Sequence, residues 1–131
     1  MRRDHARFGD LSATVVAVGQ GTAAQTRAFA HHLELPYLLL GDPERTTYAA
    51  YGLNIGTLRQ LLGPAVIRVH LRGLLRGSRP GRIMGDPRQL PGAFVIDRSG
   101  VVRYAKAGKH AGDHASNAEL LAAVAEVMGR E

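Results

Sequence analysis

The first sustained apolar pattern in the chain is residues 14–18, Thr-Val-Val-Ala-Val, a β-branched run without polar alternation. Such a run is expected of a strand buried on both faces. Gly19 and Gly21 interrupt it, and Thr22 with Gln25 makes a T-x-x-Q capping box that opens a helix. That helix is expected to carry Ala24, Ala28, Phe29 and Leu33 on one side and Gln25, Arg27 and His31 on the other. Pro36 ends it, and residues 37–40 form a second short apolar run. Strand, helix and strand with short joints is a βαβ unit, which predicts a parallel sheet packed on both faces.

Asp42-Pro43 predicts the next helix start, with Asp42 as N-cap and Pro43 at the first helical position. The helix is short, residues 46–51, with Gly52 placed to end it in the left-handed conformation. Residues 54–90 differ in kind, holding seven Arg, six Gly and three Pro. Only 57–62 and 65–75 have helical character there, and 78–82 is turn chemistry, so the stretch reads as an insertion. Residues 93–97 are a strand, Asp97-Arg98-Ser99-Gly100 a tight turn, and 101–105 the antiparallel partner. A loop over 106–115 follows. Ser116 and Glu119 form a second capping box, and Leu120, Leu121, Val124, Val127 and Met128 make the apolar face of a closing helix. The order β-α-β-α-(insertion)-β-β-α predicts an α/β fold of thioredoxin-like arrangement, a mixed sheet flanked by helices, less its usual opening.

With 131 residues the expectation is a single domain spanning 1–131. No apolar run approaches the ~20 residues a membrane span requires. Residues 1–8 are charged and lack the apolar core of a secretory signal, so cytoplasm is the default expectation. There is no cysteine, which excludes a disulfide, a thiolate metal site and a thiol nucleophile within these residues. The formal charge of +6 comes almost wholly from arginine, Lys106 and Lys109 being the lysines. An arginine bias spread over the surface is the plain reading, and a basic interaction domain is the alternative.

Three constellations carry candidate chemistry. Gly19-Gln20-Gly21-Thr22-Ala23-Ala24 matches G-x-G-x-x-A after a strand, and Asp42 stands at the end of the next strand. Gly19, Gly21 and Thr22 would admit a pyrophosphate to the helix N-terminus, with Asp42 on a ribose. Against this, the glycines serve the strand-to-helix turn, Asp42 is placed to cap the next helix, and the further βαβ repeats of a dinucleotide-binding domain are missing. His110, Asp113 and His114 have ligand-like spacing, but the neighbouring Gly108 and Gly112 argue for a solvated loop, so no metal is expected. Arg68, Arg72, Arg76 and Arg79 share one face if the helix persists, with Arg82 and Arg88 beyond. The insertion lacks aromatics for base stacking, which weighs against nucleic acid. No G-x-S-x-G motif and no spaced carboxylate pair is present, so no catalytic residue and no cofactor are expected.

Several short segments, taken in order, resemble a known family. They are Val15-Val16-Ala17-Val18-Gly19-Gln20-Gly21-Thr22, Leu35-Pro36-Tyr37, Gly41-Asp42-Pro43, Tyr48 with Tyr51-Gly52-Leu53, the stretch Gly85-Asp86-Pro87-Arg88-Gln89-Leu90-Pro91-Gly92, Phe94-Val95-Ile96-Asp97 with Gly100, and Gly112-Asp113-His114. Together they resemble the AhpC/TSA-type peroxiredoxin-like proteins, most of all their peroxiredoxin-like 2 branch. The resemblance implies a thioredoxin-like fold and thiol redox chemistry, reduction of peroxides or of disulfides. It also implies a reactive cysteine at the start of a helix, after a strand that precedes residues 14–18, where a helix N-terminus favours the thiolate. The present residues begin after that segment, so no catalytic position carries over, and the expectation is a truncated or degenerate member, inactive alone. In the family the absent strand lies between those matching 14–18 and 93–97. The two must therefore pair directly or leave open edges for a second copy or a complementing chain.

Overall fold

A computed structural model describes residues 1–56, 85–110 and 112–130, together with Pro64, Arg68, Leu71, Arg72 and Leu75. A 3-10 turn over Arg2–Asp4 leads into α1 (His5–Asp10). Then come β1 (Val16–Gly19), α2 (Ala23–His32), β2 (Leu38–Gly41) and α3 (Thr46–Ala50). The hairpin β3 (Gly92–Ile96) and β4 (Val102–Ala107) precedes the closing helix α4 (Asn117–Met128). The five isolated positions are helical and exposed, while the rest of the helices expected at 57–62 and 65–75, and the turn at 78–82, lie outside the described residues.

The local signals form as expected. Thr22 accepts from the Gln25 amide at 3.3 Å while the Gln25 side chain accepts from the Thr22 amide at 2.9 Å, so two orphan N–H groups of α2 are satisfied reciprocally. Ser116 and Glu119 do the same for α4. Gly52 and Gly100 both adopt positive φ. β1 and β2 pair in parallel, Val16 opposite Leu38 and Gly19 opposite Gly41. β3 and β4 pair antiparallel, with a register shift at Val95/Ile96.

Three expectations need correction. The strands start two residues and one residue later than the apolar runs, at Val16 and Leu38. β1 and β2 are not covered on both faces: Val16 is 48% exposed and Leu38 55%, because helix α2 shields only one side of the pair. The inward stripe of α2 is Thr26, Ala30 and Leu33, spaced i, i+4 and i+7, while Phe29 is 44% exposed. Thr26 is buried because its hydroxyl bonds back to the carbonyls of Thr22 (3.0 Å) and Ala23 (3.1 Å), leaving a methyl to face the sheet. Of the two alternatives expected for the mixed sheet, it takes the open-edge one among the described residues. It consists of two half-sheets, β1–β2 and β3–β4, without a ladder between β1 and β3.

The core lies against the β3–β4 hairpin and the approach to β1. Phe8 of α1 is 3% exposed and packs with Leu120, Leu121 and Val124 of α4, with Val15, Ala93, Val95 and Tyr104 against the cluster. Each such side chain contributes about 1.5–3 kcal/mol on burial. A single helix, α4, thereby joins the approach to β1 and the strand β3.

Candidate functional site

The residues following β1 meet the segment leading to β3 through a side chain that imitates backbone. The Gln20 amide nitrogen donates to the Asp86 carbonyl at 3.0 Å, and the Asp86 N–H donates to Gln20 Oε1 at 2.8 Å. That is the two-bond exchange of an antiparallel strand pair. Gly85 fits here because it holds φ near +80°, and because a Cβ would stand 2.5 Å from Gln20 Cβ. The Asp86 carboxylate accepts from Arg88 Nε and Nη2, both at 3.0 Å, from the Arg88 amide at 2.9 Å and from Arg45 Nη1 at 2.9 Å. The bonds from Arg88, then that from Arg45, hold this carboxyl well below the usual carboxylate range.

The glycine motif is packed by the end of β2. A Cβ on Gly41 would lie 2.5 Å from the Gly21 carbonyl oxygen, 2.9 Å from the Thr22 carbonyl carbon and 3.0 Å from the Ala23 nitrogen. A Cβ on Gly19 would meet nothing closer than 3.9 Å. Asp42 is 8% exposed, and its two oxygens accept from the amides of Thr46 (3.0 Å) and Thr47 (2.8 Å). It caps α3 from outside the helix. The residue at the N-cap position is Arg45, in the left-handed conformation, so the helix begins three residues beyond Pro43.

The other sequence-predicted ligands are spent locally. His110 Nδ1 accepts from the Gly112 amide at 3.2 Å, and Asp113 accepts from the Lys109 amide at 2.9 Å. His114 is exposed. Asp97 closes the hairpin turn, accepting from Ser99 Oγ at 2.6 Å and from the amides of Ser99 and Val101 at 2.9 Å each, with Arg103 at 2.6 Å on its second oxygen. Among the described residues no three His, Asp or Glu side chains converge as metal ligands, and no helix is long and apolar enough to cross a membrane.

Between the half-sheets lies a cleft of about 960 Å³. Val16 and Val18 of β1 line one wall, Phe94 and Ile96 of β3 the other. Tyr48 and Tyr51 close one face, and Leu120 and Val124 of α4 the opposite face. The Tyr51 ring packs on Phe94 with centroids 4.7 Å apart. Tyr48 Oη donates to the Val18 carbonyl at 2.9 Å, and burial followed by the nearby Asp42 charge raises its pKa. The Gly19 carbonyl accepts from the Asp42 amide at 2.8 Å on the β2 side. Backbone groups alternate along a strand, so Val18 and Val16 direct theirs away from β2 toward the cleft. No periodicity argument pointed to Tyr48 or to the Gln20–Asp86 clasp, whose partners lie 66 residues apart.

These elements in this order, a βαβ unit followed by an antiparallel hairpin and a terminal helix, make a thioredoxin-like domain. Residues 1–110 match the model of the AhpC/TSA antioxidant enzyme family, and the chain belongs to that family. No curated protein matches it.

Proposed function

We propose that this chain is the thiol-free scaffold of an AhpC/TSA-type redox unit, unable by itself to reduce a peroxide or a disulfide. The reading treats residues 1–131 as one unit with 54–90 as an insertion. The observation that carries it is the absence of cysteine in a member of a thiol-redox family. Peroxide or disulfide reduction of this kind needs a thiolate to attack oxygen or sulfur, and the other sulfur side chains, the methionine thioethers, react with peroxide once each and are returned only by dedicated reductases. Redox turnover would then require a thiol from outside these residues.

The test is peroxide consumption by the purified chain with a dithiol reductant in excess. The expected rate is that of the reductant alone. The three methionines permit stoichiometric oxidation, so the measurement is sustained turnover beyond that burst. Catalytic consumption at enzyme-like rates, growing linearly with chain concentration, would overturn the reading.

A further inference from the structure

We infer that the exposed face bearing Arg68, Leu71, Arg72 and Leu75 docks on an anionic phospholipid surface. Each of these positions, with Pro64, is helical and exposed. Their spacing from Pro64, at i+4, i+7, i+8 and i+11, is that of one side of a helix. On that side Leu71 and Leu75 make one row and Arg68 and Arg72 the row beside it, the members of each four residues apart. Leu75 is 81% exposed and Leu71 58%, the two most exposed large apolar side chains among the described residues. Single leucines at a surface are ordinary, whereas an apolar row bordered by charge marks an interaction site.

Charge identifies the occupant. Residues 46–85 hold six of the 17 basic residues, all of them arginine, and no Asp or Glu. The rest of the chain holds eleven basic and eleven acidic residues, so this one stretch carries the whole formal charge of +6. A concentration of that kind is drawn to an anionic surface. Nucleic acid would engage the arginines and leave the leucines in water, and residues 52–85 offer no Phe, Tyr or Trp on which a base could stack. A lipid surface takes both rows at once. The arginines reach phosphates at headgroup level while the leucines enter the acyl boundary beside them. Docking of this kind lies in the plane of the interface and requires no spanning helix.

The test is flotation of the full chain with vesicles of phosphatidylglycerol and phosphatidylcholine in equal parts, against phosphatidylcholine alone, at about 0.1 M salt. The chain should float with the anionic vesicles and not with the neutral ones. Each arginine near such a surface is worth about fivefold in partitioning, so Arg68→Gln with Arg72→Gln should weaken binding roughly twenty-five-fold. Leu71→Gln with Leu75→Gln keeps the charge and the helix propensity, and should weaken it about tenfold or more. Arg2→Gln with Arg3→Gln removes the same charge from another exposed place and should bind as the parent does. Absence of binding to the anionic vesicles would overturn the inference, as would equal binding to both compositions. A leucine variant that binds as the parent would reduce the attraction to charge alone and overturn it too. A single-stranded oligonucleotide bound equally by parent and leucine variant, with the vesicles ignored, would assign the face to nucleic acid instead. Peroxide turnover by the chain would refute the thiol-free reading and leave this one standing.

Discussion

The sharpest steric constraint in the βαβ half falls on Gly41, outside the glycine motif that the sequence displays. In Gly41→Ala the new Cβ would stand 2.5 Å from the Gly21 oxygen, and its next two neighbours, at 2.9 and 3.0 Å, are also backbone. No rotamer change relieves a backbone contact, so the end of β2 or the start of α2 must move by nearly an ångström to restore ordinary separation. That shift strains the Asp42-to-Gly19 bond of 2.8 Å and the pairing of Gly19 with Gly41. Overpacking of this kind costs about 1–3 kcal/mol, and the upper end applies because nothing flexible yields. Gly21→Ala is the control: its Cβ would meet Gln25 Cβ at 3.3 Å and Gln25 Oε1 and Thr26 Cγ2 at 3.4 Å, short of ordinary contact by only a tenth or so of an ångström, and φ there is not positive. Its expected cost is under about 1 kcal/mol. Urea denaturation followed by circular dichroism reads both. With a slope of about 1–3 kcal/mol per molar, Gly41→Ala should lower the midpoint by roughly 1 M or more. A Gly21→Ala midpoint lower than that of Gly41→Ala would refute the packing argument.

Two further perturbations test the core and the cap. Phe8→Ala removes the most buried apolar side chain among the described residues and should cost about 3–5 kcal/mol in urea denaturation, with Phe8→Leu costing about 1 kcal/mol; equal midpoints for Phe8→Ala and the parent would remove α1 from the core. Glu119 is held at about 2 by the Ser116 amide and hydroxyl, then Lys106, below its ordinary 4.5, so its contribution is present above pH 4.5 and lost as pH falls toward 2. Glu119→Gln keeps an oxygen for the Ser116 amide but no titrating group, so thermal melts across that window should show less loss for the variant than for the parent. Identical acid limbs would count against the assignment.

What the sequence disclosed and what it withheld divide by range. The capping boxes at Thr22/Gln25 and Ser116/Glu119 span three residues each and form as read, as does the turn at Asp97–Gly100. Helix α1 was illegible because Phe8 stands alone among Arg2, Arg3, Asp4, His5, Arg7 and Asp10, which leaves no stripe to detect. It exists because one ring finds Leu120 and Val124 more than a hundred residues away. Thr26 reads as polar, and only its backward hydroxyl bonds explain why it replaces Phe29 on the inner face of α2. In the candidate site, open edges were one of the two alternatives that the family resemblance implied. The aromatic face of the cleft was not, since Tyr48 and Tyr51 sit on or just after a short helix with no amphipathic period. The G-x-G motif pointed at Gly19 and Gly21, whereas the structure places the tight contact at Gly41.

The cleft persists in the folded chain because its two walls are tied at more than one place. On the α4 side, Phe8, Leu120, Leu121 and Val124 gather Val15, just before β1, and Ala93 and Val95 of β3 into one cluster. Beyond the C-terminal end of β1, the Gln20–Asp86 clasp joins it to the segment approaching β3, and Arg45 and Arg88 hold Asp86 in place. Bringing β1 and β3 into a direct ladder would require repacking the cluster and breaking the clasp together. These ties therefore hold the two walls apart and keep the cleft open.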